Sequence, residues 1–533
     1  MSATGTAPRG AELLFVGGRI FGEGDGETPV EAMRVLNGRV ESLGEAGRLR
    51  EECGPGAEEI DLGGGVVLPG FIDAHTHVEF SAMARYDWVD VRGDSPERIC
   101  ERLRAEVDRV ADSERWVVAQ GTFLQALPDR EALDRVSATV PLLVRESMHR
   151  LQANTEALRR AGFLDRAPTT APGVVVHVDE RRRPTGLVEE GFHLFPVPGP
   201  GPERLESFLE RELRESFARH GVTTVYEIPA TAAGVDAYAA LAGRRALPVR
   251  ITLTPVVAPG LNPLLGAVSE WREWAGRFPG GPGLPLLSAG GIKIFVDGDN
   301  EQAFDTTTFE RSPRGWGAVT RTLAQLRDEL AWAAENDVQV WVHAIGDLAQ
   351  DLVLEAVEQA RERVGPPALP TRLEHAANLQ LTPRLVDRMA ALDVVPVPTA
   401  NFMATDDGSG LYAYRTLSEA GFRPPGNSDT GGAIAEAPNP WFGIAHMMDR
   451  RNARGVPVAP QERVPALEGV RGYTRYAAAV AGLEGEMGRL APGCSADFAV
   501  YEQDPRALDA ERMRAVEAEQ TFVEGRRTWR RER

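Results

Sequence analysis

The sequence predicts an α/β fold: a (β/α)8 TIM barrel with a small β-sandwich domain formed by both termini and an inserted subdomain after the first barrel strand. Three observations predict it. Short apolar runs alternate with amphipathic helical stretches through the middle of the chain, the pattern of βα units around a parallel sheet. Both ends instead carry short runs separated by glycine turns, LLFVGGRIF, AMRVLNGRV and VVLPG at the start, DFAVYEQDP and QTFVEGRRTW at the finish, which read as strands that pair with one another. Histidines also gather at the C-terminal ends of the central apolar runs, the end at which barrel enzymes keep their active sites.

In chain order the predicted barrel strands are VVLPGFIDAHTH, then residues 221–228, 249–257, 290–298, 338–346, 371–376 and 394–399, and finally RPPGNSDTGG from Arg423. The last is placed by position, because prolines cannot donate to a ladder. Helical patterns such as ERLESFLERELRESFARHG, TLAQLRDELAWAAEND and AQDLVLEAVEQARERV fall between or before these strands. Roughly 140 residues separate the first two strands, far beyond an ordinary βα connection. An inserted subdomain at about 83–202, leaving through PVPGPGP, accounts for them. The chain then divides into residues 1–66 (N-terminal part of the sandwich), 67–486 (barrel with its insertion) and 487–533 (C-terminal part of the sandwich).

Composition narrows the function. With 533 residues and 43% apolar content the chain can bury a large core, which excludes disorder as a description of the whole. A net charge of −19 and a pI near 5.1 exclude a nucleic-acid partner, whose binding depends on clustered lysine and arginine. The basic run 526–533 is read as a solvated terminus. Cys53, Cys100 and Cys494 lie far apart without CxxC spacing, so neither a disulfide framework nor a thiolate site is indicated. The opening MSATGTAPRGAELLFVGG lacks the features of a signal peptide, and no later stretch approaches the ~20 apolar residues of a membrane span. A cytoplasmic protein with no membrane partner is the expectation. Among 59 basic residues only one is lysine, Lys293. It stands inside the apolar run AGGIKIFVDGD, where a buried cation needs partners or a special role.

The chemistry-bearing residues fall at strand ends. HTH puts His75 and His77 on one face at the end of the first strand, as period-two geometry requires. His343 ends the fifth, His375 the sixth and Asp429 the eighth, while Lys293 lies on the fourth. Imidazole and carboxylate donors suit zinc or a similar divalent ion.

VVLPGFIDAHTH, GGIKIFVDG, VHAIGD, LEHA, the late SD and the closing GRLAPGCSADFAVYEQDP together resemble the amidohydrolase superfamily, in particular its N-substituted formamide deformylase-like branch. The resemblance covers nearly the whole chain, including RESMHRLQANTEAL and PTGLVEE in the insertion. It implies His75, His77 and Asp429 as ligands of one ion, His343 and His375 of another, and Lys293 as a carboxylated bridge, with one or two zinc-like ions as cofactor. Arginine, whose guanidinium stays protonated, cannot form that carbamate, which gives the lone lysine a cause. The implied reaction is hydrolysis of a C–N bond in an amide, N-formyl amine or related cyclic amide by metal-activated hydroxide, with Asp429 as the catalytic proton carrier. The partner is a small-molecule substrate, and a homo-oligomer is left open. Decarboxylation or isomerisation on the same centre, or a metal-binding scaffold without catalysis, also stay open, because fold does not determine reaction.

His149, Asn154, Tyr226 and Asp299 are the candidate substrate contacts. Two departures from the branch bear on substrate choice. DGDNEQAFDTTTF places Asp297, Asp299 and Asn300 near the mouth, an acidic rim suited to a cationic or polar substrate. After the seventh strand, PTANFMATDDGSG lacks the histidine usual there and carries Asn401 instead.

Overall fold

A computed structural model describes residues 12–22, 28–110, 115–258, 264–278, 284–306 and 317–532. Residues 1–11 of the N-terminal part and 307–309 of the acidic stretch lie outside the described residues.

Phe71–Thr76 pairs in parallel with Val222–Glu227, and that strand in turn with Arg250–Leu253. Both Phe71–Thr76 and Val222–Glu227 are buried along their whole length, as strands covered on two faces must be. The third and fourth strands are each interrupted. Pro255 separates Arg250–Leu253 from Val256–Val257, and Gly290 with Gly291 separates Leu287–Ala289 from Ile292–Phe295. Matching halves pair with one another, and Lys293 N–H donates to the Pro255 carbonyl at 2.9 Å across the break. Gly291 is required there, because a Cβ would run into the Gln339 carbonyl oxygen. The sheet continues through Val340–His343, Arg372–Glu374 and Val395–Val397, all parallel.

The eighth segment differs from expectation. No regular strand forms around Asp429, because Pro424 and Pro425 lack N–H donors. The segment still closes the ring. Ala74 N–H donates to Gly426 O (3.0 Å), Asp429 N–H to His75 O (2.9 Å) and His77 N–H to Thr430 O (2.9 Å). On its other side, side chains replace the ladder: Asn427 Nδ2 donates to Pro398 O, and Thr399 Oγ1 to Asn427 Oδ1, each at 2.9 Å.

Alternation along the strands sorts core from site. Ile292, Ile294, Val340, Val342 and Leu373 pack outward against Leu326, Leu330, Val353 and Val357, on the helices Leu323–Glu335 and Asp347–Val364. The first of these helices starts where Thr322 and Gln325 form a capping box. The intervening Lys293, Trp341, His343, Arg372 and Glu374 are buried away from that cluster.

After the first strand and the helix Val78–Tyr86 the chain builds a separate six-stranded sheet between Val89 and Glu189. Its hairpin from Leu142–Arg145 to Arg150–Ala153 carries His149 at the turn. The termini share a core: Glu12–Val16 belongs to a four-stranded sheet, Phe498–Tyr501 and Gln520–Val523 to a five-stranded one. Phe15 meets Phe498 and Phe522 edge-on between them, at 4.9 and 5.3 Å. The basic tail is corrected here. Arg526–Arg530 is an edge strand paired antiparallel with Gln520–Val523, with Thr528 buried and Trp529 donating to Ala518 O, because alternate residues of the run face the protein. No helix among the described residues is long and apolar enough to cross a membrane. The three cysteines are free.

Candidate metal centre

Each imidazole is oriented by what its other nitrogen does, and those outer partners determine which nitrogen keeps a lone pair. His75 Nδ1 lies 2.6 Å from Glu374 Oε2. Two buried Arg372 hydrogen bonds keep that carboxylate charged (2.8 and 3.2 Å); although burial opposes ionisation, Arg372 and then His75 hold its pKa down to about 2. An ionised carboxylate only accepts, so His75 donates from Nδ1 and leaves the Nε2 lone pair free. His375 follows the same logic. Its Nδ1 lies 3.0 Å from Thr399 Oγ1, whose hydroxyl proton is committed to Asn427, so His375 donates and its Nε2 is free. His343 is turned the other way: Nε2 donates to the Gly298 carbonyl at 3.1 Å.

The free nitrogens converge on Asp429. His75 Nε2 and His77 Nε2 are each 3.4 Å from Oδ1, and His375 Nε2 is 3.5 Å from Oδ2. One ligand atom from each of His75, His375 and Asp429 can be chosen so that all lie within 4.8 Å of one another. Asp429 Oδ1 is buried and accepts no hydrogen bond. Burial pushes all four imidazole pKa values down, that of His75 to about 4, which favours the neutral, ligating form. Neutral lone pairs and an orphaned carboxylate oxygen facing one buried point are the donor set of a divalent cation, and the residues fit one. Lys293 is fully buried, with Nζ 3.1 Å from His75 Nε2, and burial lowers its pKa to about 8. His343 lies against His375 with ring centroids 4.7 Å apart but is not part of the close group of three.

Backbone strain accompanies the site. His375 (φ +66°) and Asp429 (φ +44°) both adopt the left-handed region, disfavoured for residues with a Cβ and held where the surroundings over-determine it. Asp73 secures the second of these: its Oδ1 accepts the backbone N–H of Ser428 at 2.8 Å and of His75 at 3.3 Å.

Of the expected substrate contacts, His149 reaches the centre, its ring 6.0 Å from that of His343 and its Nδ1 2.7 Å from Glu190 Oε1. Asp299 lines the cavity above, together with His149. Two expectations are corrected. Asn154 caps the helix Thr155–Arg160, accepting from Leu142 and Ala157 and donating to Ser137 and Val140, so its carboxamide has nothing left for a substrate. Tyr226 packs inside the ring against Trp341 and donates to Ala477 O, because its strand position points it into the apolar interior rather than to the mouth. Asp297 also serves the scaffold, accepting the N–H groups of Phe304, Ile345 and Gly346. Asn401 donates to Ser428 O and Ala437 O.

Sequence reasoning missed Arg372, Glu374 and Thr399. Two charges at alternate positions of a buried three-residue strand were the available signal. Glu374→Gln is expected to lower metal affinity by about 10- to 100-fold, as losing an outer-shell carboxylate does, and to destabilise the fold by ~3–5 kcal/mol, because the Arg372 guanidinium is left without a counter-charge. Metal titration and denaturant unfolding check both; wild-type values in each would dismiss the relay.

The amidohydrolase family profile matches residues 58–529. The chain is 27% identical over 547 residues to YtcJ of Bacillus subtilis (strain 168), covering 96% of this chain and 98% of that protein. It is 26% identical over 535 residues to the N-substituted formamide deformylase of Arthrobacter pascens, covering 93% and 94% respectively. The solved structure of an uncharacterized metal-dependent hydrolase from Pyrococcus horikoshii OT3 shares the fold, with a TM-score of 0.73 at 20% identity over 94% of this chain and 99% of that one. A profile spanning nearly all of the chain, over a ring of strands whose mouth gathers imidazoles around a buried aspartate, leads to one conclusion: the chain belongs to the amidohydrolase family.

Proposed function

We propose that this chain is a metal-dependent hydrolase of C–N bonds in amides, N-formyl amines or related cyclic amides, built as a (β/α)8 barrel with the sandwich of both termini outside it. One observation carries the reading: imidazole nitrogens of His75, His77 and His375 converge on Asp429, whose buried Oδ1 accepts no hydrogen bond, beside the only lysine of the chain. His75, His77 and Asp429 would hold one ion, His343 and His375 a second, and Lys293 as a carbamate would bridge them. The lowered pKa of Lys293 supports that modification, since only the neutral amine adds carbon dioxide. When bound, a zinc-like cation supplies Lewis acidity, polarising the acyl oxygen and lowering the pKa of a water.

The chain's own groups do the rest. Asp429 would take the proton of the attacking water and hand it to the departing nitrogen as the C–N bond breaks, giving a carboxylate and an amine. The relay from Arg372 through Glu374 keeps His75 in the tautomer that leaves Nε2 free. Phe123 and Phe402 line the cleft that reaches Asp429 and limit the water competing for that proton.

The relationship to an N-substituted formamide deformylase puts N-formyl amines first in a substrate panel. Purified protein is expected to carry about one to two equivalents of a divalent transition metal and to lose its amine-releasing activity to a strong chelator. Elemental analysis and amine release from N-formyl and N-acyl amines test this. Full activity in metal-free protein would refute the mechanism, and loss of carbon dioxide from acids with no amide cleaved would hand the site to decarboxylation.

A further inference from the structure

Above the metal centre lies a cavity of about 200 Å³. Phe123, His149 and Phe402 line both this cavity and the narrow cleft that reaches Asp429, so a substrate held at the ligands extends into it. Its carboxylates, Glu146, Glu189, Asp299, Asp406 and Asp407, outnumber its cations, Arg150 and His149. Although burial opposes it, Glu190 and then Asp299 raise the His149 pKa to about 10, and His149 pairs with Glu190 at 2.7 Å. Glu146 is matched by Arg150 at 3.0 Å, and Glu189 is engaged by His177 and Gln302. Among the described residues Asp299 is bonded only through Oδ1, to the Asn300 N–H at 2.7 Å. Asp406 accepts the N–H groups of Gly408 and Gly410 and the hydroxyl of Tyr412, at 2.7, 3.1 and 3.0 Å. Among the described residues neither Asp299 nor Asp406 forms an ion pair.

Both carboxylates act on one wall of the cavity. The phenol of Tyr412, which lines it, is pushed well above its usual pKa by burial and then by Asp406 and Asp299. A second feature points to a ligand. Gln302 lines the same cavity and is 6% exposed; its amide nitrogen is spent on Glu189, and its Oε1 has no donor. Leu124, Leu379 and Phe402 supply an apolar side.

We infer that this cavity selects amides carrying a distal ammonium group, held by Asp299 and Asp406 with Gln302 Oε1 as a further acceptor, while the alkyl stem lies along Phe402 and Leu379. An ammonium has three N–H donors and no acceptor, the complement of two carboxylates and a bare amide oxygen. A neutral alkyl end would cover those acceptors without satisfying them, and an anionic end would be repelled. The inference rests on the hydrolase reading for its reaction, but not for its binding. In an N-formyl amine the ammonium can only sit on the amine half, so N-formyl-1,4-diaminobutane is the simplest such substrate, with N-formylpentylamine its neutral isostere.

The test uses the full-length, metal-loaded protein. The cationic formamide is expected to exceed the neutral one in kcat/KM by at least about tenfold, mainly through KM, with the ratio falling as salt is raised. Asp299→Asn, which keeps an oxygen for the Asn300 N–H, is expected to bring the ratio close to one. Calorimetry with pentylamine, an ammonium at neutral pH, and its neutral isostere 1-pentanol should show the same preference without turnover, and the salt dependence in wild-type protein decides the matter even where the variant folds poorly. Equal binding of pentylamine and 1-pentanol, or a preference unaffected by salt, would overturn the inference. If no formamide is cleaved while pentylamine still binds preferentially through Asp299, the hydrolase reading falls and the cation site stands.

Discussion

Lys293→Arg is expected to abolish turnover, by at least about a thousandfold, the equivalent of ~4 kcal/mol of transition-state stabilisation, while the chain stays folded. All the other 58 of the 59 lysines and arginines are already arginine, so the substitution changes little in composition or length. What it changes is the charge at one point. Lys293 is fully buried beside His75 Nε2, and its amine can become neutral near pH 8. A guanidinium cannot lose its proton there. It would bring a permanent positive charge against the imidazoles that face Asp429, and metal loss should accompany inactivity. Lys293→Ala leaves space instead of charge, so excess acetate or formate is expected to restore partial metal binding and activity to the alanine variant and not to the arginine variant. Metal content, turnover and circular dichroism of both variants, with and without added carboxylate, are the measurements. Wild-type turnover in Lys293→Arg would make the lysine a relic of composition and remove the bridged pair of ions.

Asp429→Asn is expected to lower kcat on the order of a thousandfold, within the range that a positioned proton carrier contributes. The fold should tolerate it. Asp429 has φ +44°, a conformation asparagine adopts more readily than most residues, and its backbone N–H bond to His75 O is unaffected. The asparagine side chain can still offer an oxygen ligand but cannot accept and return a proton. Activity should therefore stay low when metal is supplied to saturation, which separates proton transfer from ligation. Recovery of wild-type kcat at saturating metal would move the proton role to another group.

Much of the candidate centre was legible because neighbouring parallel strands bring their ends to a shared location. His75, His77, His343 and His375 each end an apolar run, neighbouring parallel strands carry those ends together, and Asp429 joins them from the irregular eighth segment. Lys293 was legible through composition, as the one lysine in an arginine chain. The strands at both ends of the chain were visible as glycine-punctuated runs, and in the structure Phe15 packs on Phe498 and Phe522.

Other features depended on partners far away in sequence. Asn154 and Tyr226 were selected by motif and by strand position, and the structure spends their polar groups on Ser137, Val140 and Ala477. The eighth segment was expected as a strand, yet its prolines leave it irregular and its pairing is carried partly by Asn427 and Thr399. The relay of Arg372 and Glu374 to His75 spans 299 positions, a distance no local pattern encodes. The sequence by itself determined which residues could be ligands, through residue type and periodicity. Tertiary structure alone decided which nitrogen of each imidazole is free, which carboxylates remain uncompensated and which polar side chains belong to the scaffold, because each of those depends on hydrogen-bond partners brought together only when the ring closes.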